Sequence, residues 1–130
     1  MRILLDTHIW LWSVGEPQRL RSRAASEMED PRNELWLSPI SIWEIQMLSA
    51  KRRISLGMDV DTWITRALRS WPLREATVTH EVAQELGKLQ LGHRDLADHF
   101  LVATAKVFDL ILATRDELLL DTKEIEVLPA

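Results

Sequence analysis

Four acidic residues stand beside apolar stretches, where a carboxylate needs a chemical reason. Asp6 and Asp116 follow short apolar runs, and Glu44 and Asp98 lie within helical patterns of apolar residues. An ionised carboxylate that faces the interior is unfavourable unless it is paired or binds a metal ion. Clustered carboxylates provide hard oxygen ligands, which suit a small hydrated cation such as Mg²⁺ or Mn²⁺. The four acids are therefore candidate metal ligands.

Some of these acids also have a structural explanation. Glu44 stands three residues after Ser41, the spacing of a capping box in which Ser41 would begin the helix. Asp95 and Asp98 lie one helical turn apart, and two such acids repel unless a cation stands between them or one takes up a proton. Either acid could instead lie at the N-terminus of a helix, where the helix dipole stabilises a negative charge. For Glu44 the sequence favours the role of a metal ligand over that of a capping residue, and it leaves the role of Asp95 open.

The composition narrows the reactions that such acids could support. The chain of 130 residues has no cysteine, which excludes disulfides, thiolate nucleophiles and zinc–thiolate sites. Its formal charge of −4 argues against broad electrostatic binding of nucleic acid, although bound cations would offset an acidic cluster. A Gly-rich phosphate loop, a G-x-S-x-G elbow and an H-E-x-x-H helix are all missing. Hydrolysis of a phosphodiester with divalent ions remains.

The elements predicted to position the acids alternate between strands and helices. The apolar run of residues 1–5 lacks polar alternation and predicts a strand buried on both faces. Further strands are predicted at residues 34–38, 76–78, 110–113 and, at a sheet edge, 125–128. Helices are predicted at residues 8–14 and 20–28, from Ser41, at 60–71, after a Thr79 cap, and from about residue 95. The stripe expected to face the core from the helix after Ser41 consists of Ile40, Trp43, Met47 and Leu48.

This alternation predicts an α/β fold whose parallel strands are joined by right-handed crossovers and covered by helices on both faces. The first and fourth strands would be neighbours where the strand order reverses, so Asp6 and Asp116 would share a crevice. One domain over residues 1–130 is the economical interpretation, because no linker or repeat divides the chain. Neither a membrane span nor a signal peptide is evident, and we expect a cytoplasmic location.

Two further groups of residues could meet a partner. The six tryptophans fit core packing or a partner surface, and Trp10 and Trp12 are the candidates for the surface. The cluster of Lys51, Arg52 and Arg53 fits a solvated helix end or a phosphate contact. The sequence leaves both alternatives open.

Four motifs resemble those of a known family. They are LLDT at residues 4–7, SIWEI at 41–45, HRDLAD at 93–98 running into LVATA at 101–105, and TRD at 114–116. In this order they resemble the motifs of PIN-domain ribonucleases, specifically VapC-type toxins of type II toxin–antitoxin systems. The resemblance spans nearly the whole chain. It implies a PIN-like three-layer α/β/α sandwich with a central parallel five-stranded sheet.

The resemblance also implies a function. It indicates a Mg²⁺- or Mn²⁺-dependent endoribonuclease, with structured RNAs such as tRNA as common substrates. Such toxins are usually homodimers, each restrained by a cognate antitoxin whose tail enters the active-site groove. The implied metal ligands are Asp6, Glu44, Asp98 and Asp116, with Asp95 as an accessory ligand and Thr7 and Thr114 as supporting hydroxyls. The candidate RNA contacts are Lys51, Arg52, Arg53 and Arg115.

The third motif departs from the family pattern. Close relatives carry DPFDR there, whereas this chain has DLADH at residues 95–99, without the proline. Because the proline helps to define where a helix begins, its loss affects the role of Asp95 more than that of Asp98. It also leaves His99 without an assigned role.

Two other classes of function compete with the nuclease. A catalytically silent PIN-fold module that binds RNA or protein is possible, because a fold alone does not determine function. The complete set of four acids argues against it. A small-molecule phosphatase would use similar acids but usually adds a phosphate-holding lysine, and none of the four motifs contains one.

Overall fold

The computed structural model describes residues 1–92 and 95–130, so His93 and Arg94, which open the third motif, lie outside the described part. The strands in that part are β1 Arg2–Leu5, β2 Glu34–Leu37, β3 Leu73–Glu75, β4 Ile111–Thr114 and β5 Val127–Pro129. The α-helices in the same ranges are α1 Thr7–Gly15, α2 Ser22–Glu29, α3 Pro39–Ala50, α4 Val60–Ala67, α5 His80–Leu86, α6 Leu96–Phe108 and α7 Glu117–Leu120. A 3-10 turn over Pro17–Arg19 precedes α2.

The five described strands form one parallel sheet in the order β3-β2-β1-β4-β5. The sequence runs outward from β1 in one direction through β2 and β3, and in the other through β4 and β5. The order therefore reverses between β1 and β4, which confirms the predicted pairing of the first and fourth strands. Ligands of open parallel sheets bind at this reversal, beyond the carboxyl ends of the strands.

Strand β1 is buried on both faces, as its unbroken apolar sequence predicts. Ile3 and Leu5 belong to the core on one side of the sheet, which includes residues of α1, α2, α3 and α4. Leu4 belongs to the opposite core, together with Leu101 and Val102 of α6. Helices therefore cover both faces of the sheet, which confirms the predicted three-layer arrangement. Among the described residues, no helix is both long and apolar enough to cross a membrane.

The start of α3 corrects the predicted capping box. The helix begins at Pro39, and its N-cap is Ser38, whose side chain accepts a hydrogen bond from the Ile40 amide at 3.0 Å. Proline fits the first helical position because its missing amide would have no partner there. Ser41 lies inside the first turn and is fully buried. The capping-box explanation of Glu44 is therefore wrong.

The buried face of α3 and the position of the third strand also differ from the prediction. The buried face of α3 consists of Ser41, Ile45 and Leu48, whereas Trp43 is 48% exposed. The pattern misled because α3 is apolar nearly all round, so sequence alone cannot select one face. The third strand lies at Leu73–Glu75, earlier than predicted, because its polar residues stand at a sheet edge.

Candidate active site

A cavity of about 360 Å³ lies where β1 and β4 end. Its lining residues are Asp6, His8, Trp12, Glu44, Asp95, Asp98, Arg115 and Asp116. All four predicted metal ligands and the predicted accessory acid are among them. Larger cavities exist, including one of about 660 Å³ near the amino ends of β1 and β4, but they lack this concentration of acids.

Asp6 is the most constrained of the acids. It follows β1 directly, and its backbone amide donates to the carbonyl of Ala113 on β4 at 3.0 Å. Its carboxylate caps α1 by accepting a hydrogen bond from the Thr7 amide at 2.7 Å. The other carboxylate oxygen accepts one from the Thr114 hydroxyl, also at 2.7 Å. Strand, helix and neighbouring strand thus hold one carboxylate.

The Thr114 hydroxyl joins the two strand ends. It donates to Asp6 and accepts a hydrogen bond from the Asp116 amide at 3.1 Å. Asp116 in turn caps α7, because its side chain accepts from the Leu118 amide at 2.9 Å. A hydroxyl can donate once and accept twice, so Thr114 suits this bridging position. The family resemblance implies a supporting role for this hydroxyl, which stays a prediction.

A pair of buried hydroxyls joins α1 to α3. The Thr7 hydroxyl donates to the Ser41 hydroxyl at 2.9 Å, and both residues are fully buried. This bond ties the first turn of α1 to the first turn of α3. Glu44 follows Ser41 by almost one turn of α3 and therefore faces the same end of the sheet.

Asp95 and Asp98 occupy the start of α6. The Asp95 side chain accepts a hydrogen bond from the Asp98 amide at 3.2 Å and so acts as the N-cap. Asp98 lies in the first turn and is only 7% exposed. Asp95 therefore stands at the helix N-terminus, as the helix-dipole alternative expected, and in addition caps the helix while its side chain lines the cavity.

The acids affect one another electrostatically. Burial raises the pKa of Asp6 above its usual value; hydrogen bonds from Thr114 and Thr7 and the charge of His8 oppose the rise, and Asp116 adds to it. Burial also raises the pKa of Glu44; a hydrogen bond with the Thr7 side chain and the charge of His8 oppose the rise, and the negative charges of Asp6 and Asp95 add to it. Like charges in a shared site raise pKa values in this way, and a cation among them would reverse the effect.

The donor set of the cavity fits a hard divalent cation, because its ligands are carboxylates from several elements. In residues 1–92 and 95–130, no three carboxylate or imidazole groups already surround a common point that could hold an ion. The acids thus share a cavity but are not arranged as a finished coordination sphere. The shared cavity is the observation that favours a cation here, and the raised pKa of Glu44, due first to burial and then to the charges of Asp6 and Asp95, agrees with it.

Comparison with known protein families identifies the family of this chain. The family model described as PIN domain matches residues 3–125. The chain belongs to the PIN-domain family. Ribonuclease VapC22 of Mycobacterium tuberculosis (strain ATCC 25618 / H37Rv) is 34% identical to this PIN domain over 115 residues, which cover 88% of this chain and 86% of that protein. The chain is therefore a PIN-domain protein of the VapC type.

Solved structures share the fold of this PIN domain. The structure of VapBC2 from Rickettsia felis, bound to a DNA fragment from its promoter, superposes with a TM-score of 0.74 at 13% identity, covering 98% of both chains. VapBC-5 of Mycobacterium tuberculosis, a toxin–antitoxin system, gives 0.65 at 17% identity, covering 99% of this chain and 98% of that one. At these identities the likeness establishes the architecture.

The structure separates the predicted nucleic-acid contacts. Arg115 lines the acidic cavity, whereas Arg53 lines an adjoining cavity. Lys51 and Arg52 are exposed at the end of α3 and line neither of these two cavities. Their placement fits the solvated helix end that the sequence offered as an alternative.

Two residues of the cavity were not assigned to the site from the sequence. His8 follows Asp6 by two positions, and the DTH run that contains both could have signalled it. Trp12, one helical turn later, was considered only as a partner surface. It is partly exposed, whereas Trp10 is fully buried in the core, so Trp10 is unavailable to a partner.

Proposed function

We propose that this PIN-domain protein is an endoribonuclease that hydrolyses RNA phosphodiester bonds with a divalent ion, Mg²⁺ or Mn²⁺. The observation that carries the proposal is the acidic cavity, to which four separate parts of the fold contribute carboxylates. The name of the relative, Ribonuclease VapC22, supports the same class of reaction. A silent binding module would have no need for buried acids whose mutual repulsion is unfavourable.

Asp6, Glu44, Asp98 and Asp116 would hold the ion, and Asp95 would assist them. When bound, the ion supplies a Lewis acid that activates water and neutralises charge at a phosphodiester. The side chains would turn towards a common point to bind it. Thr7 and Thr114 keep Asp6 in place during that change, because each already donates a hydrogen bond to its carboxylate.

Arg115 would bind the substrate phosphate at the rim of the acidic cavity. Its guanidinium lies 4.7 Å from the ring centroid of Trp12 and donates to the backbone carbonyls of Arg19 and Ala130. These contacts hold a positive charge beside the acids. An anionic backbone could therefore approach them with one charge already neutralised.

The biological setting that we propose is a toxin–antitoxin pair, in which this chain is the toxin and a cognate antitoxin blocks the acidic cavity. The support is that structural neighbours of this chain are VapBC complexes. We also propose a homodimer, as the family resemblance implies. Co-expression with the product of an adjacent small reading frame, followed by copurification, tests the partner.

RNA cleavage by purified variants tests the proposed function. We expect Asp98→Asn to lower the rate of RNA cleavage in Mn²⁺ by at least about 100-fold, because it removes a buried carboxylate from the cavity. The matched control is Asp61→Asn, which changes an exposed acid of α4 that does not line the acidic cavity. Full activity of folded Asp98→Asn, or equal losses in the two variants, would contradict the proposal.

A further inference from the structure

A second cavity adjoins the acidic one along α1. It has a volume of about 700 Å³, and we call it the α1 groove. Residues that define it are His8, Trp12, Arg19, Arg53, Leu56 and Trp63. His8 and Trp12 line both cavities, so the two meet at α1.

The ring of Trp12 contacts two arginines at this junction. The guanidinium of Arg115, which lines the acidic cavity, lies 4.7 Å from the centroid of the Trp12 ring. The guanidinium of Arg19, which lines the α1 groove, lies 4.2 Å from the same centroid. Positive charge thus continues from one cavity into the next across an aromatic side chain.

The far side of the α1 groove carries another cation. Arg53 is exposed in the loop after α3, and its amide donates to the Leu48 carbonyl at 2.9 Å. Arg52 before it has the left-handed φ of 56°, a conformation that often ends a helix. These backbone features fix the direction in which the chain leaves α3 and hold Arg53 at the groove.

We propose that a single-stranded segment of the RNA substrate passes from the acidic cavity over Trp12 into the α1 groove, where Arg19 and Arg53 bind its phosphates. This inference rests on the proposed function. Partly exposed apolar residues beside the arginines, Ile54 and Leu56, would receive unpaired bases. Aromatic platforms combined with basic residues bind single strands in this way without reading their sequence.

The charges of the groove favour a polyanion over other occupants. The chain as a whole carries a net charge of −4, so its arginines at this groove form a local exception. Glu16 also lines the groove, 3.5 Å from Arg19. Both side chains of that pair are about half exposed, and such ion pairs contribute little, so a phosphate can compete for Arg19.

The salt dependence of RNA binding tests this path. The probe is a fluorescein-labelled single-stranded RNA of about 12 nucleotides, bound to full-length Asp98→Asn protein and followed by fluorescence anisotropy. Adding Arg19→Gln or Arg53→Gln should weaken binding about threefold to tenfold. Each should also lower the slope of log Kd against log salt by about 0.7, the value for one phosphate contact to a single strand. A purely structural role for either arginine would leave that slope unchanged.

The control is Arg69→Gln, which removes an exposed arginine that lines neither cavity and should leave the slope as it was. In the active protein, Arg53→Gln should raise KM for the RNA of about 12 nucleotides. It should leave KM unchanged for an RNA of about three nucleotides, which is too short to reach the groove. Unchanged slopes in both groove variants would overturn the proposal. If the same variants also lose antitoxin binding, the groove binds a protein partner instead of RNA.

The proposed function can fail separately. If the wild-type protein cleaves no RNA but the groove variants reduce the slope as expected, the α1 groove still binds RNA and only the nuclease assignment is wrong. If the wild-type protein cleaves RNA and the slopes do not change, the nuclease assignment holds and the path through the groove is wrong.

Discussion

The Asp6 carboxylate combines strong restraint with unfavourable burial. Two hydrogen bonds fix its oxygens, and its side chain is almost fully enclosed. Burial disfavours the ionised form more than these bonds favour it, so its pKa is raised. A carboxyl whose pKa is raised by folding reduces stability at neutral pH, because its ionised form is less favourable in the folded than in the unfolded protein. Asp6 is therefore better explained by binding than by folding.

Replacement of Asp6 by asparagine should stabilise the protein at pH 7 in the presence of EDTA. The carboxamide of the variant would be neutral, could still accept from the Thr7 amide, and could donate to Thr114. We expect a higher Tm by the few degrees that about 1 kcal/mol produces in a domain of this size. Thermal unfolding followed by circular dichroism measures it.

The raised pKa of Asp6 also predicts how the stability difference between Asp6→Asn and the wild type changes with pH. The folded state holds the Asp6 proton more tightly than the unfolded state, whose carboxyl has the ordinary pKa of 3.8. Stability of the wild type therefore falls as pH rises from 3.8 through the raised pKa, and Asp6→Asn lacks this loss. The gap between the two proteins should close near pH 3.8. A gap that widens towards low pH would contradict the raised pKa.

At the scale of single elements, the N-termini of helices position most of the acids. Asp6, Asp95 and Asp116 are the N-caps of α1, α6 and α7, and Asp98 lies in the first turn of α6. Helix N-termini favour negative charge and leave amides free to bind carboxylates. The same residues can therefore begin helices and line the cavity. Cap and ligand are compatible roles for one side chain.

The cap of α3 gives a direct test of where that helix begins. Because Ser38 accepts from the Ile40 amide, Ser38→Ala should lower the free energy of unfolding by about 1 kcal/mol. The control Ser26→Ala changes an exposed serine inside α2 and should stay within about 0.5 kcal/mol of the wild type. Urea unfolding measures both. A loss in Ser26→Ala equal to that in Ser38→Ala would argue against the cap.

At the scale of the whole molecule, the strand order creates the site. Parallel pairing of β1 with β4 places Asp6 and Asp116 at one edge, although 110 positions separate them in the numbering of the chain. Helices α3 and α6 lie on opposite faces of the sheet and add Glu44 and Asp98 to that edge. The acids meet because crossovers return every strand in the same direction.

A divalent ion should therefore stabilise the folded molecule as a whole. Binding to the folded state alone adds about 2.7 kcal/mol at an ion concentration of about 100 times Kd. We expect Mn²⁺ to raise the Tm of the wild type and EDTA to reverse the increase. In the double variant Asp6→Asn/Asp98→Asn, the same Mn²⁺ concentration should leave Tm unchanged. Equal Mn²⁺ shifts in the wild type and the double variant would place the ion elsewhere.

Much of this protein can be predicted from local sequence. The unbroken apolar run of β1 indicated burial on both faces, and the alternation of strands with helices indicated a parallel sheet. The four acids were recognisable because each interrupts or ends an apolar pattern. These features depend on neighbours in the chain, so the sequence alone determined the class of fold and the candidate ligands.

Other features depend on which elements meet. The face of α3 that packs inward, the burial of Ser41 against Thr7 and the difference between Trp10 and Trp12 could not be inferred from periodicity. Likewise, only the structure joins Arg115, Trp12 and Arg19 across the two cavities. An apolar or basic residue has the same local pattern on either face of an element, and packing between distant segments decides which neighbour it contacts.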